Sequence, residues 1–276
     1  MNDVFNGADE IGRPGELRPQ PAHPCSCTAR PVATPFALYY PLGVSKAQTY
    51  VSYLALDKVL SAQQPRSEEH DEMLFIIVHQ VYELWFKELL HELTFLQRSL
   101  EAGHTAHALG TLKRILTILK TVVAQVDVLE TLTPTQFLAF RSRLEAASGF
   151  ESAQFRALEA ALGVHGNSNQ GGQTVFDSFL RYLSQVGYTV PEEKSSAATQ
   201  EVLVSVYRDD GEAAQVAERL VDLDEGFQEW RYRHVKMVER TIGDKPGTGG
   251  SSGAEYLRRT LFQPAFPDLW AIRSRL

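Results

Sequence analysis

Leu74-Phe-Ile-Ile-Val-His79-Gln-Val-Tyr-Glu-Leu-Trp-Phe86 is unusually apolar, and its polar residues recur at helical rather than alternating intervals. Phe75 and His79 lie four apart, so a helix places them on one face. Upstream, Ser67-Glu-Glu-His70 stands just ahead of Asp71 and Glu72 and reads as a helix start. The pattern predicts one long helix from near Ser67 to about Leu100.

The helical period extends outward from there. Tyr50, Tyr53, Leu54, Leu56 and Val59-Leu60 mark an earlier amphipathic face. Leu109, Leu112, Ile115, Leu116, Leu119, Val122 and Val123 are spaced for burial in a helix from about Thr105 to Leu129. Pro134 suits the first turn of a helix reaching about Leu144. Further helices are expected at Phe150–Leu162, Val175–Val186, Thr199–Tyr207 and Ala213–Ile242, with loops at Gly163–Gly172 and Pro191–Ser196. No alternating strand or hairpin signal is evident, nor any repeat. The expected fold is all-α, a single helical domain over residues 45–276 behind an extended arm, residues 1–44. That arm's first 41 residues hold seven of the 13 prolines and little hydrophobic period.

Composition narrows the function classes. Hydrophobic residues at 43% and charged residues at 22% fit a globular protein with a sizeable core, so whole-chain disorder is excluded. Twenty-seven basic against 34 acidic residues leave a formal charge of −7, which argues against a general nucleic-acid binder. No apolar run reaches the ~18 residues of a membrane helix. Two cysteines build no disulfide scaffold, and Met1-Asn2-Asp3 lacks the basic-then-apolar pattern of a signal peptide, so a cytoplasmic location is expected. His23-Pro-Cys25-Ser-Cys27 lacks a second half of a zinc site and reads as incidental.

Several residues could carry chemistry. His79, in its apolar helix, is either a core imidazole with a partner or a group that meets a ligand. His234 lies in Trp230-Arg-Tyr-Arg-His234 on the last long helix. That helix runs into Gly243-Asp-Lys-Pro-Gly-Thr248-Gly-Gly-Ser-Ser-Gly253. This loop lacks the lysine ending of a phosphate cradle and fits a lid with glycine hinges better. Glu88-Leu-Leu-His91 has one di-iron half-motif where two are needed, and with Lys87 and Glu92 it reads as a solvated face. Arg141 follows Phe137 by four residues. On an apolar face it either meets an anionic group or snorkels to solvent.

Taken in series, these blocks resemble the tryptophan 2,3-dioxygenase family. The likeness runs from Tyr50-Val-Ser-Tyr53-Leu54 through Ser61-Ala-Gln-Gln and Leu74–Phe86 to Val128–Pro134 and Phe140-Arg141. It continues in Ser148-Gly-Phe150, Trp230–His234 and Gly247–Gly253 with Tyr256-Leu-Arg258. The resemblance implies a helical haem b protein, homotetrameric, that opens the indole ring of L-tryptophan with O2 to give N-formylkynurenine. It implies His234 as proximal iron ligand and His79 as the distal histidine bonding the indole N–H. Phe75 would pack on the indole, Arg141 pair with the substrate carboxylate, and Thr248 contact the ammonium group. Tyr50, Tyr53 and Leu54 would enter a neighbouring subunit's pocket, while Phe137 and Ser148 would line the pocket wall and haem side.

The arm, a shorter segment before His70, Val126, Glu151 and the stretch Ala157–Gly166 depart from the family pattern. Two other readings therefore stand beside the dioxygenase. One is a haem mono-oxygenase of tryptophan or a methylated tryptophan, giving an oxindole-type product. The other is a haem-binding sensor without turnover, which would have no need of Arg141 and Thr248.

Overall fold

The computed structural model describes residues 48–164, 172–248, 250 and 252–276, with the backbone only of Phe150. The proposed arm, including His23, Cys25 and Cys27, lies outside the described residues. The chain divides into two units, Met1–Tyr53 and Leu54–Leu276.

The described part of the first unit is brief. Thr49 and Ser52 exchange bonds at the start of α1 (Tyr50–Leu54): the Ser52 N–H donates to the Thr49 hydroxyl oxygen at 3.2 Å and the Thr49 N–H to Ser52 Oγ at 2.9 Å. Tyr50 and Tyr53 are 75% and 72% exposed.

The second unit contains α2 (Leu56–Val59), α3 (His70–Glu101), α4 (Thr105–Leu129), α5 (Pro134–Arg141) and α6 (Ala153–Leu162). It continues with α7 (Val175–Gln185), α8 (Ala197–Asp209), α9 (Glu212–Ile242), α10 (Ala254–Arg258) and α11 (Pro267–Ala271). Helices and turns account for all regular structure among the described residues, as the all-α expectation requires. No helix there is long and apolar enough to cross a membrane.

The starts of the shorter helices follow local chemistry. Thr133 and Gln136 form a capping box with Pro134 in the first turn, and Thr174 and Asp177 form another. Ser152 and Ser196 each accept a backbone N–H three residues on. Ser152 sets the start of α6 at Ala153, three residues later than Phe150, because Gly149–Glu151 closes as a 3₁₀ turn. Likewise α5 tightens after Arg141 into a 3₁₀ turn, Ser142–Leu144.

The core is the contact of three long helices. α4 packs along both α3 and α9, while α6 and α7 cover α3. Val78, Tyr82, Phe86, Leu89, Leu93 and Leu96 of α3 are buried at steps of three or four residues. They face Ile115, Leu119 and Val122 of α4 and Leu220, Leu223 and Phe227 of α9 in one cluster. Each fully buried leucine contributes about 1.5–3 kcal/mol of transfer free energy.

Two charged residues behave differently from their expectation. Glu92 is buried rather than solvated, and its Oε1 accepts from Arg114 of α4 at 2.8 Å. α4 covers this side of α3, which the pattern of α3 alone does not reveal. Ser67 does not cap α3, which starts at His70 behind Glu69. Instead the chain turns back on Glu72. The carboxylate of Glu72 accepts the Arg66 and Ser67 N–H groups at 2.8 Å each and the Ser67 hydroxyl at 2.5 Å. Burial opposes ionisation here, but these bonds outweigh it and hold the carboxyl below its ordinary range.

A carboxyl lowered in the folded state stabilises the fold above its unfolded pKa, and that contribution disappears as pH falls through the folded value. Glu72→Gln should therefore lower Tm at pH 7 by on the order of a few °C, with the difference from wild type closing below about pH 4. Tm measured from pH 7 to 3 checks this. A gap that stays constant in acid would contradict the assigned ionised bonds.

Candidate functional site

A cavity of about 760 Å³ opens between α3, α5, α6, α9 and the 244–260 segment. That volume is in the range of small-molecule sites, about 300–1,000 Å³. Phe75, His79, Phe137, Arg141, Ser148, Thr248 and His234 all line it. Tyr50, Tyr53 and Leu54 are exposed residues of α1 and do not line it.

One wall is aromatic. The Phe75 ring lies 4.1 Å from that of His79, 5.7 Å from Phe137 and 5.6 Å from Phe140, centroid to centroid. His79 is part of this wall, and its hydrogen bond defines its chemistry. Nδ1 lies 2.7 Å from the Phe75 carbonyl, and a carbonyl only accepts, so Nδ1 carries the proton. Nε2 is then left as an acceptor. Burial keeps the imidazole below its ordinary pKa, against the pull of the Phe75 carbonyl and Glu83. The histidine is neutral at pH 7.

His234 belongs to α9 and is stacked on Trp230 one turn earlier, with centroids 5.1 Å apart and planes 10° from parallel. Burial, with His79 nearby, takes its pKa down to about 4. Its ring nitrogens have no hydrogen-bond partner among the described residues. A neutral imidazole with an available lone pair on a large cavity could hold a metal centre. No group of three or more His, Cys, Asp or Glu able to cage an ion occurs among the described residues. An iron bound there needs the rest of its ligands from a macrocycle. The donor set and the apolar wall fit a haem.

The same cavity carries polar groups suited to an amino acid. Arg141 Nη2 donates to the Pro246 carbonyl, and its buried Nε has no hydrogen-bond partner. Leaving such a donor unsatisfied costs about 1–3 kcal/mol. The Thr248 hydroxyl donates to the Ala147 carbonyl at 2.7 Å, so its oxygen keeps lone pairs free to accept. These two bonds hold the 244–253 loop against the end of α5 and the turn after it. Gly253 makes the loop possible: at φ +65, a Cβ there would fall 2.6 Å from the Lys245 carbonyl oxygen.

The structure also brings in residues that sequence reasoning missed. Arg156 and Glu159 of α6, Arg231 of α9, and Tyr256 and Thr260 of the C-terminal segment line the same cavity. Arg231 could have been noted, since it shares the quoted Trp230–His234 block. Glu159 could not, because nothing local distinguishes it from a solvated helix residue.

Comparison with known proteins adds independent findings. A family model described as tryptophan 2,3-dioxygenase matches residues 42–201 and 188–276. The chain is 63% identical over 262 residues to the tryptophan 2,3-dioxygenase of Anaeromyxobacter sp. (strain K), covering 86% of this chain and 99% of that protein. It is 54% identical over 261 residues to that of Herpetosiphon aurantiacus, covering 84% and 100%. With that of Caulobacter vibrioides it is 39% identical over 263 residues, covering 84% and 100%.

Proposed function

The chain belongs to the tryptophan 2,3-dioxygenase family, and from that premise we propose how its own residues divide the work. The activity is haem-dependent dioxygenation of L-tryptophan to N-formylkynurenine, with O2 as co-substrate. The haem supplies O2 activation, and the protein supplies binding, orientation and exclusion of water. The observation that carries the assignment of residues is the pair of neutral imidazoles, His79 and His234, on one cavity.

His234 would hold the haem iron. Its stacking on Trp230 limits the tilt of the imidazole, and its depressed pKa keeps the lone pair available. His79 receives the indole N–H at Nε2, because Nδ1–H is committed to the Phe75 carbonyl. Phe75 and Phe137 pack on the indole and keep water away from the reacting carbons. Arg141 takes the substrate carboxylate at its unpaired Nε, and Thr248 accepts from the ammonium group. Ser148 lines the haem side. These contacts turn a freely tumbling zwitterion into one fixed pose, which is where most of the protein's rate contribution arises.

Residues 45–276 form the functional domain and 1–44 the arm in this reading. Two cysteines in 276 residues suit a reducing cytoplasm. Tyr50, Tyr53 and Leu54 are exposed apolar groups on a short helix, and we assign them to the pocket of a neighbouring subunit in a homotetramer.

Direct measurements test these assignments. Product mass after reaction of L-tryptophan with O2 should rise by 32 units for two oxygen atoms, whereas a rise of 16 would mean mono-oxygenation. His234→Ala should lose stoichiometric haem, while His79→Ala should keep it and lose about 2- to 12-fold in turnover, the value of one neutral hydrogen bond. A histidine-ligated Soret band in the His234 variant would contradict the ligand.

Arg141→Ala should lower kcat/KM for L-tryptophan about 10- to 150-fold and remove most of the preference over tryptamine. Arg141→Lys should recover little, since an ammonium has no planar fork. An unchanged preference would place the carboxylate elsewhere. Light scattering should give four chains per particle, and a fully active monomer would refute the shared pocket.

A further inference from the structure

Arg231 is 3% exposed at its side chain, yet it carries a full charge three residues before His234 on the same helix. Its Nη2 meets Glu159 Oε1 of α6 at 2.7 Å, and its guanidinium lies 4.6 Å over the Phe227 ring. Nη1 reaches the carbonyls of Thr260 and Gln263 at 3.3 and 3.4 Å. Arg231 and Glu159 both line the cavity that holds His234. A buried ion pair is weak support for stability, since desolvation of both charges offsets much of their attraction. Removing either member changes the net charge beside a neighbouring centre by one unit in a medium of low dielectric.

We propose that the Arg231–Glu159 pair tunes the reduction potential of the haem iron, with Glu159 as the counter-charge that this chain supplies to Arg231. The inference rests on the haem assignment above. Reduction adds one electron and takes ferric iron to ferrous, lowering the charge of the site by one. A positive environment favours that change and a negative one opposes it. Glu159 offsets the charge of Arg231, so the ferrous state would be less favoured than Arg231 alone would make it. Glu159 and Arg231 act through the field and touch no reacting atom, so they are positioning and tuning residues.

Midpoint potentials, from dye-mediated dithionite titration of the haem-loaded protein without substrate, test this. Glu159→Gln keeps shape and hydrogen-bonding reach while removing the charge, and its midpoint should move up. Glu159→Asp keeps the charge and should stay near wild type. Arg231→Met should move down, and the double variant Glu159→Gln/Arg231→Met should return toward wild type. If Glu159→Gln does not fold, the comparison of Arg231→Met with the double variant carries the test. A Glu159→Gln midpoint equal to or below wild type overturns the proposal. So does an equal shift in the Gln and Asp variants, or an Arg231→Met midpoint no lower than that of the double variant. Failure of the haem assignment would look different: the wild type itself would show no Soret band.

Discussion

The seam between α4 and α9 is the contact from which the rest of the site takes its position. At Gly226 the helices come so close that a Cβ would lie 2.8 Å from Leu119 Cδ2. Leu119 and Phe227 fill the space around that point in the shared core. Further along, Arg233 of α9 reaches Asp127 of α4 at 2.5 Å and Glu130, just past its end, at 3.3 Å. Packing at one point and ionic contacts at the other fix both the rotation and the axial position of α9. Rotation matters most, because Trp230, Arg231 and His234 must face the cavity while Arg233 faces α4. A slip of one residue would turn the imidazole by about 100°.

The C-terminal segment depends on the same helix. Asp224 is completely buried and accepts the Phe266 N–H at 3.0 Å and the Trp270 Nε1–H at 2.9 Å. Two turns later Arg231 holds the Thr260 and Gln263 carbonyls. α9 thereby carries His234 and anchors the chain that completes the cavity wall at Tyr256 and Thr260. The cost of burying these charges is met by backbone groups that would otherwise be unsatisfied in the interior.

The cavity shows the reverse pattern. Glu92 Oε2 is unpaired elsewhere in the core, but Arg141 Nε and Trp230 Nε1, also buried without a hydrogen-bond partner, belong to residues that line the cavity with His234. Such groups lower stability in isolation and recover that loss on binding. Arg141 and Thr248 each donate to a backbone carbonyl, those of Pro246 and Ala147. Both contacts can be exchanged for a ligand's own polar groups.

Helix type and the approximate bounds of the longer helices were legible in the sequence because they are local, whereas the short α10 and α11 were not. The apolar steps of α3 and α4, Pro134 and the glycines around the lid each act within a few residues. His79, His234, Arg141 and Thr248 were legible as candidates because ordered motifs carried a family resemblance. Placement was not legible. The burial of Glu92 depends on α4 lying across it, and the bonds of Glu72 depend on a turn that brings Arg66 and Ser67 back. Glu159 entered the cavity wall only because α6 meets α9 there, 72 residues away in sequence. The sequence alone determined which residues could be helical, apolar or reactive. Only the tertiary structure decided which of them share a space, because the energies of burial and charge depend on neighbours that no local pattern specifies.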